Sequence, residues 1–288
     1  MKREVELQRR LRSLEALGEA VGAMKSLSAH HFREARRGIE PARRYREGVE
    51  RILGWAGASL PGGDGEAGLL IIGAELGLCG SYNSHLVEAG ATRRAELGPG
   101  PTFCVGRRAA TLLGRRGVEP ARIYEGPTSV RGITGLLLEL AEHLLTTYAS
   151  QRLSSLDIVS SRFGGVGTTK PTTLRLLPVE PSGRADGPRP RYVGDEHFAS
   201  AAVREFLYVT LFDLLLDALA SEHGARLTAT EAAERWLDER SDRLRRHLQA
   251  TRREASTQEM IEIVSGARAR ARQGRALPGS GPQQPPST

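Results

Sequence analysis

Apolar residues recur at three- and four-residue steps along both ends of the chain. The stripe of the first arm, which continues less regularly to Ile52, begins with Leu7, Leu11, Leu14, Leu17, Val21 and Met24. The last arm carries Val203, Leu207, Leu211, Leu214 and Ala218, followed by Ala225, Ala229, Ala232, Trp236, Leu244 and Leu248. Such spacing collects apolar side chains on one face of a helix. It predicts a helix at residues 1–57 and another at 197–272.

Each of these helices needs a partner for its apolar face. Small residues are frequent on both arms, at Gly18, Gly22, Ser28, Ala29 and Ala35 and at Ala225, Ala229, Ala232 and Ala233. Small side chains let two helix backbones approach closely, whereas a dimeric zipper keeps Leu or Ile at nearly every core position. We therefore favour antiparallel pairing of the two arms within the chain. A coiled-coil homodimer is the alternative.

The middle of the chain alternates between short apolar runs and helical patterns. Strands are predicted at residues 68–73, 102–106, 121–124, 156–159 and 173–177, with helices at 81–96, 107–116 and 131–150. Strands separated by helices are typical of a parallel sheet. The predicted fold class is α/β with a long antiparallel coiled coil. A small Rossmann-like parallel-sheet domain, at 58–180, lies between the N- and C-terminal helices that form the coiled coil.

Two stretches rich in Gly and Pro complete the division of the chain. Residues 181–196 are predicted to be a linker from their Gly and Pro content. Residues 273–288 are predicted to be a disordered tail, because they hold too little apolar surface to offset the entropy of ordering.

Composition narrows the class of protein further. Asp213 and Asp217 interrupt the most apolar stretch, so no transmembrane span is expected, and the charged N-terminus predicts no secretory signal. Two cysteines, Cys79 and Cys104, are too few for a disulfide framework or a zinc site, which favours a reducing, cytosolic compartment.

The net charge of +7 is concentrated at the ends of the chain. Residues 1–57 hold 13 cations and 8 anions, and residues 222–275 hold 12 and 9, so the rest is close to neutral. This distribution indicates acidic partners. Nucleic acid is disfavoured, because the basic ends carry few aromatic residues and no known binding motif.

The loops of the α/β domain show no catalytic motif. Residues 73–80 do not read G-x-G-x-x-G, and residues 164–171 resemble a phosphate loop only superficially, since Pro171 follows Lys170. The pair His30-His31 is interpreted as exposed helix histidines with no carboxylate or cysteine at a metal-ligand step. Both cysteines are interpreted as small buried apolar residues.

The C-terminal arm carries motifs that point to one protein family. They are Ser221-Glu222, Ala225-Arg226, Thr257-Gln258-Glu259 and Glu262-Ile263-Val264-Ser265-Gly266-Ala267. This run closely resembles the C-terminal helix of the gamma subunit of F-type ATP synthases, which reads SE-x-x-AR and then ITQE-x-x-EIV-x-GA. Similar steps stand earlier, at Leu11-Arg12-Ser13-Leu14, Ala23-Met24-Lys25, Gly77-Leu78-Cys79-Gly80 and Asn83. The resemblance covers roughly residues 3–270.

The resemblance implies a rotor role. In that family the coiled coil turns inside a ring of alpha and beta subunits, and so couples ion flow through the membrane ring to ATP synthesis or hydrolysis. The implied partners are the alpha, beta and epsilon subunits and the membrane rotor ring, without nucleic acid. The chain would be peripheral, on the cytoplasmic face of the cell membrane, and would meet the membrane only through the complex. No active site, cofactor or metal is expected in it.

The resemblance also implies which residues contact partners. The positions that would touch a beta-subunit loop are Arg252, Arg253, Thr257, Gln258 and Glu259. Met24 and Lys25 would contact the acidic lever segment of that subunit.

The chain departs from the family pattern at three places. Glu75-Leu76 replaces the family's Asp-Arg, which removes a charge pair from the base, and Ser256 replaces an isoleucine. The tail beyond Gly274 is longer than usual. These differences keep open a sodium-translocating or secondary rotary ATPase. From other classes, a homodimeric coiled-coil scaffold and a Rossmann-type enzyme also remain as alternatives.

Overall fold

The computed structural model describes residues 2–165, 168–180 and 194–275. Long helices stand at both ends, and short strands and helices alternate between them, as the hydrophobic pattern predicts. In chain order the elements are α1 (Lys2–Ala56), β1 (Ala67–Ile72), α2 (Tyr82–Leu97), β2 (Thr102–Val105), α3 (Arg107–Gly114), β3 (Arg122–Tyr124), α4 (Val130–Ser150), β4 (Ser155–Phe163), β5 (Thr169–Leu177) and α5 (Asp195–Arg275).

The strands form one sheet in the order β3-β2-β1-β4-β5. The pairs β1–β2, β2–β3 and β1–β4 are parallel, and β4 and β5 are antiparallel. The predicted parallel sheet is therefore correct for four strands and wrong for β5. The physical reason is the short connection, because a parallel strand needs a crossover of a dozen or more residues and only five residues separate Phe163 from Thr169.

The core lies on both faces of the sheet and follows the two-residue period of the strands. In β1, Leu69 and Ile71 pack into the cluster that includes α2 and α3, whereas Leu70 and Ile72 pack into the cluster that includes α1, α4 and α5. All four side chains are at most 1% exposed. A strand covered on both faces reads as an unbroken apolar run, which is why β1 was predictable.

The chain divides into two compact units, and the larger one spans Val21–Glu234. Within it α1 and α5 run antiparallel, since residues further along α1 pair with residues nearer the start of α5. Lys25 Nζ lies 2.7 Å from Glu234 Oε2, and Arg43 donates to both carboxylate oxygens of Asp217 at 2.9 Å. Leu207, Leu211 and Leu215 join the core of this unit.

The smaller unit contains residues up to Ala20 and those from Arg235 onward. Its two helical segments are also antiparallel, because Glu15 pairs with Arg245 and Glu4 with Arg252, at 2.8 and 2.7 Å. Leu7, Leu237 and Leu248 are buried. The predicted antiparallel pairing within one chain is thus confirmed in each unit.

The predicted domain borders fall near observed element ends. Helix α5 begins before residue 197 and continues past residue 272, while residues 181–193 of the predicted linker and 276–288 of the predicted tail lie outside the described residues. The five-part division itself stays a prediction. Within the described ranges, every helix is too short or too polar to cross a bilayer.

Candidate functional site

The distal α5 segment, which we define as residues 252–264, holds five of the seven predicted contact residues. Glu4 in the first turn of α1 accepts a hydrogen bond from Arg252 Nε at 2.7 Å. Helix α1 begins two residues before Glu4, at Lys2, whereas α5 continues from Arg252 to Arg275. Every residue from Arg252 to Val264 is exposed.

The polar residues of the distal α5 segment bond mainly within their own helix. Thr257 donates its hydroxyl to the carbonyl of Arg253 at 2.9 Å, and Gln258 donates to Glu262 at 3.1 Å. Glu259 is exposed. Such bonds along one exposed helix are weak and are easily exchanged for bonds to another molecule.

Large apolar side chains are also exposed there. Met260 is 64% exposed and Ile263 is 70% exposed, and Ile261 and Val264 are exposed as well. Apolar side chains clustered on one surface are typical of an interaction site. The distal α5 segment therefore has the composition of a docking surface, with apolar residues next to polar ones.

Met24 and Lys25 lie in the larger unit. Lys25 forms its close ion pair with Glu234, stands 4.0 Å from Glu231, and leaves 35% of its side chain exposed. Met24 is half-buried. The structure therefore places an acidic partner for Lys25 on α5 of the same chain. Sequence spacing gives no sign of the Lys25–Glu234 pair, because the two residues are 209 positions apart.

The motif residues Ser221 to Arg226 meet the loop after β1, at what we call the α5–loop junction (residues 74–83 and 222–226). Arg226 donates to the carbonyl oxygens of Gly77 at 3.2 Å and Leu76 at 3.5 Å, and to Glu222 at 2.5 Å. The Glu222 and Arg226 side chains are 6% and 3% exposed. A buried guanidinium thus replaces water as the donor to two loop carbonyls.

The loop is held from its other side by Asn83 and Tyr82. Asn83 Oδ1 accepts from the backbone N–H of Ala74 at 2.9 Å, and Tyr82 donates its hydroxyl to the carbonyl of Ala218 at 3.1 Å. Leu78 has φ of 57°, a conformation that is uncommon outside glycine. The family motifs around Gly77 and Arg226 therefore describe one structure, in which α5 and the loop fix each other.

Burial changes the titration of the α5–loop junction. Desolvation raises the pKa of Glu222 to about 7, although Arg226 acts to lower it. Desolvation and the charge of Arg226 lower the pKa of His223 to about 3. Its Nε2 lies 3.2 Å from the carbonyl of Thr128, and its Nδ1 lies 3.1 Å from Arg226. His223 is therefore neutral and acts as a structural hydrogen-bonding group.

The replacement at Glu75 creates a charge pair at another position. Glu75 accepts from the backbone N–H groups of Gly126 at 2.8 Å and Arg107 at 3.0 Å, and it pairs with the Arg107 guanidinium. Burial acts to raise the pKa of Glu75, but these donors lower it overall. The carboxylate thus lies at the N-terminus of α3, where a negative charge is favourable.

The two cysteines are buried thiols, as predicted. Burial raises the pKa of Cys104 to about 12, and burial together with the charge of Glu222 raises that of Cys79. Neither is a thiolate near neutral pH, so neither has the character of a nucleophile. The segment that resembles a phosphate loop enters strand β5 at Thr169, so Lys170 and Pro171 lie in a strand.

The interpretation of His30-His31 requires a correction. Glu34 stands four residues after His30 and three after His31, and the ligand atoms of the three side chains lie within 4.8 Å of one another. A carboxylate therefore does stand at metal-ligand spacing. The sequence contains this signal, because residues four apart lie on the same face of a helix.

The fold defines a class of protein in which long helices at both termini flank a Rossmann-like sheet in the sequence, with exposed apolar residues near the end of the last helix. A family model described as ATP synthase matches residues 4–269. The chain therefore belongs to the ATP synthase gamma family, whose members form the central stalk of the rotary enzyme.

Individual relatives agree along nearly the whole chain. The ATP synthase gamma chain of Moorella thermoacetica is 30% identical over 91% of this chain and 97% of its own length. The gamma chain of Desulforamulus reducens is 29% identical over 92% of this chain and 98% of its own.

Solved structures share the fold. A chain in the OSCP/F1/c-ring structure of the Euglena gracilis mitochondrial ATP synthase matches with a TM-score of 0.66 at 14% identity, covering 98% of this chain and 99% of that one. A chain in the central stalk/c-ring structure from Tetrahymena thermophila matches with a TM-score of 0.57 at 18% identity, covering 74% and 99%.

Proposed function

We propose that this central-stalk subunit transmits torque through the distal α5 segment, which contacts a beta-subunit loop. The observation that carries the proposal is the exposed apolar cluster around Met260 and Ile263, which follows Arg252 and Gln258 on the same exposed stretch of helix. A helix end that stayed in water would gain nothing from four exposed large apolar residues. Their burial against a partner supplies binding free energy, and the flanking polar residues supply register.

The coupling follows from asymmetry. A single stalk presents different side chains to each of three surrounding catalytic sites, so the sites differ in nucleotide affinity at any instant. Each step of rotation exchanges these surfaces and therefore the affinities. Rotation of the stalk therefore changes the nucleotide affinity of each site, and nucleotide binding in turn favours particular orientations of the stalk. This coupling is reciprocal, so mechanical work is converted into binding free energy. On this proposal, the chain supplies shape and charge, and the chemistry takes place in its partners.

Met24 and Lys25 form the second proposed contact, toward an acidic lever segment. Since Lys25 already pairs with Glu234, an approaching acidic group competes for the same ammonium. The contact therefore acts as an exchange of partners. The further proposed partners are the alpha and epsilon subunits and the membrane rotor ring, which would place the chain peripherally on the cytoplasmic face of the membrane.

The test is the double variant Arg252→Ala with Gln258→Ala in the assembled enzyme. Both side chains are exposed. Arg252→Ala also removes the surface ion pair with Glu4 of α1, but such pairs contribute little to stability, and the pair of Glu15 with Arg245 remains. We expect the rate of ATP synthesis to fall roughly tenfold, which corresponds to a rise of about 1.4 kcal/mol in the activation free energy. Circular dichroism and the subunit ratio of the purified complex check that folding and assembly are unchanged.

The matched control is Arg243→Ala with Gln249→Ala, which removes the same residue types from exposed positions on the same helix. Its rate should stay within about twofold of the wild type, as is usual for surface substitutions. An unchanged synthesis rate in the Arg252/Gln258 variant would refute the assigned contact.

A further inference from the structure

Three potential metal ligands lie together on one turn of α1, within the larger unit. They are His30, His31 and Glu34, and their ligand atoms all lie within 4.8 Å of one another. His30 and Glu34 are separated by four residues, so both side chains project from the same face of the helix. His31 stands one residue further round and is half-buried.

The geometry of His31 indicates a missing partner. Its Nδ1 is buried and accepts or donates no hydrogen bond within the described residues. The nearest carboxylate oxygen, Glu34 Oε2, is 3.7 Å from this nitrogen. That distance is too long for a hydrogen bond. Two ligands of a tetrahedral ion, each about 2.0–2.1 Å from the metal, stand roughly 3.3 Å apart, so only a small movement is needed to bridge this pair.

The ring of His223 lies next to the ring of His31. The two ring centroids are 5.3 Å apart. Both nitrogens of His223 are engaged, one with the carbonyl of Thr128 and one with Arg226. His223 is therefore not a ligand. Its neutral ring is held in place by these two contacts and packs beside the His31 ring.

We propose that His30, His31 and Glu34 bind a divalent transition-metal ion such as Zn²⁺, with one coordination position open to solvent. Two imidazoles and a carboxylate are a ligand set that suits zinc better than magnesium or calcium, which prefer oxygen ligands. The ion satisfies the buried nitrogen of His31 and fixes three side chains of α1 beside α5. The inference is independent of the proposed torque contacts.

The experiment is calorimetric titration of the full-length chain with Zn²⁺ alone at pH 7.5. We expect one ion per chain, and a weakening of at least roughly tenfold in Glu34→Gln and in His30→Ala, as follows when a ligand is removed. The matched control is His85→Ala, which removes an exposed histidine from α2 and should leave the affinity unchanged.

Two further measurements separate a built site from loss of fold. Co²⁺ in place of Zn²⁺ should give visible absorption bands of tetrahedral intensity in the wild type and not in Glu34→Gln. Zn²⁺ should also raise the melting temperature of the wild type but not that of this variant, since an ion that binds only the native state stabilises it. The proposal is overturned if the wild type takes up no Zn²⁺ at micromolar concentrations. Equal binding by wild type and the Glu34→Gln and His30→Ala variants, or an equal loss in His85→Ala, overturns it as well.

Discussion

Several charged side chains in the larger unit are removed from water, and each is held by hydrogen bonds or an ion pair. Arg226 donates hydrogen bonds to the loop carbonyls and to Glu222, and Glu75 accepts one from the backbone N–H at the N-terminus of α3. A buried charge is costly unless it is paired and hydrogen-bonded, so these groups fix local geometry more than they add stability. Their titration then depends on the balance between burial and pairing.

Glu222 makes this balance measurable. Its pKa is raised from 4.5 to about 7, mainly by desolvation, with Glu75 adding to the rise and Arg226 opposing it. The folded protein binds the Glu222 proton more tightly than the unfolded chain does. The stability that this tighter binding adds is therefore fully present below pH 4.5. It is lost as the pH rises through 7. From pH 5 to pH 8 we expect the free energy of unfolding to fall by up to about 3 kcal/mol, at about 1.4 kcal/mol per pKa unit.

Urea unfolding at a series of pH values tests this expectation. Glu222→Gln should remove the decline, because glutamine does not titrate. Glu239→Gln, which neutralises an exposed glutamate paired with Arg243, should retain it. If Glu222→Gln shows the same decline as the wild type, the titrating group lies elsewhere.

At the scale of elements, the helix pair is positioned by acidic residues within an apolar stretch. Asp213 and Asp217 are 2% and 1% exposed in their side chains, and they face Arg46 and Arg43 of α1. Leucine-rich faces alone permit several registers, whereas a buried ion pair is satisfied in only one. The same two aspartates that argue against a membrane span therefore specify how α1 and α5 meet.

Removal of one partner should therefore be costly. Among the described residues, Arg43→Met leaves Asp217 with one cationic partner, the more distant Arg162 at 3.5 Å. We expect a loss of about 2–4 kcal/mol in the free energy of unfolding, as for other broken buried pairs. Combining it with Asp217→Leu should recover much of this loss, since the uncompensated charge is gone.

A double-mutant cycle measured by urea unfolding gives the coupling energy. The control cycle uses the exposed pair Arg243 and Glu239, which should couple by less than about 1 kcal/mol. Additive effects in the Arg43–Asp217 cycle would show that the pair does not set the register.

The sequence predicts elements better than contacts, for physical reasons. Periodicity identifies β1 and the two long helices, because burial on a face leaves a regular imprint. It underestimates β4, which reaches Phe163, because the buried residues Ser160 and Ser161 are polar and resemble a loop. The partners of Arg226 and Lys25 are about 150 and 209 residues away, and spacing carries no information about them.

At the scale of the molecule, positive charge is concentrated at the two ends of the sequence, and the pI is about 9.9. In the smaller unit many arginines are exposed, among them Arg9, Arg12, Arg240 and Arg246. Exposed charges interact over roughly 10 Å at 0.1 M salt, so they act on encounter with a partner more than on the final affinity. The exposed arginines are therefore suited to speed the encounter with an acidic partner.

The corresponding prediction concerns the rate of association with a preformed ring of the proposed partners, the alpha and beta subunits. We expect this rate to fall roughly tenfold between 50 and 300 mM salt, because steering by charge is screened. Replacing Arg9, Arg12, Arg240 and Arg246 by Gln should lower the rate at low salt and flatten its salt dependence. The measurement is stopped-flow fluorescence with a labelled chain.

The control replaces the same number of exposed arginines in the α/β domain, at Arg108, Arg115, Arg116 and Arg131. Both variants lose four charges, so a difference between them isolates position from net charge. If charge steers assembly from the helical ends, only the first variant loses its salt dependence. Equal effects would mean that net charge alone controls the encounter, and the concentration of arginine at the two ends would then have no role in assembly.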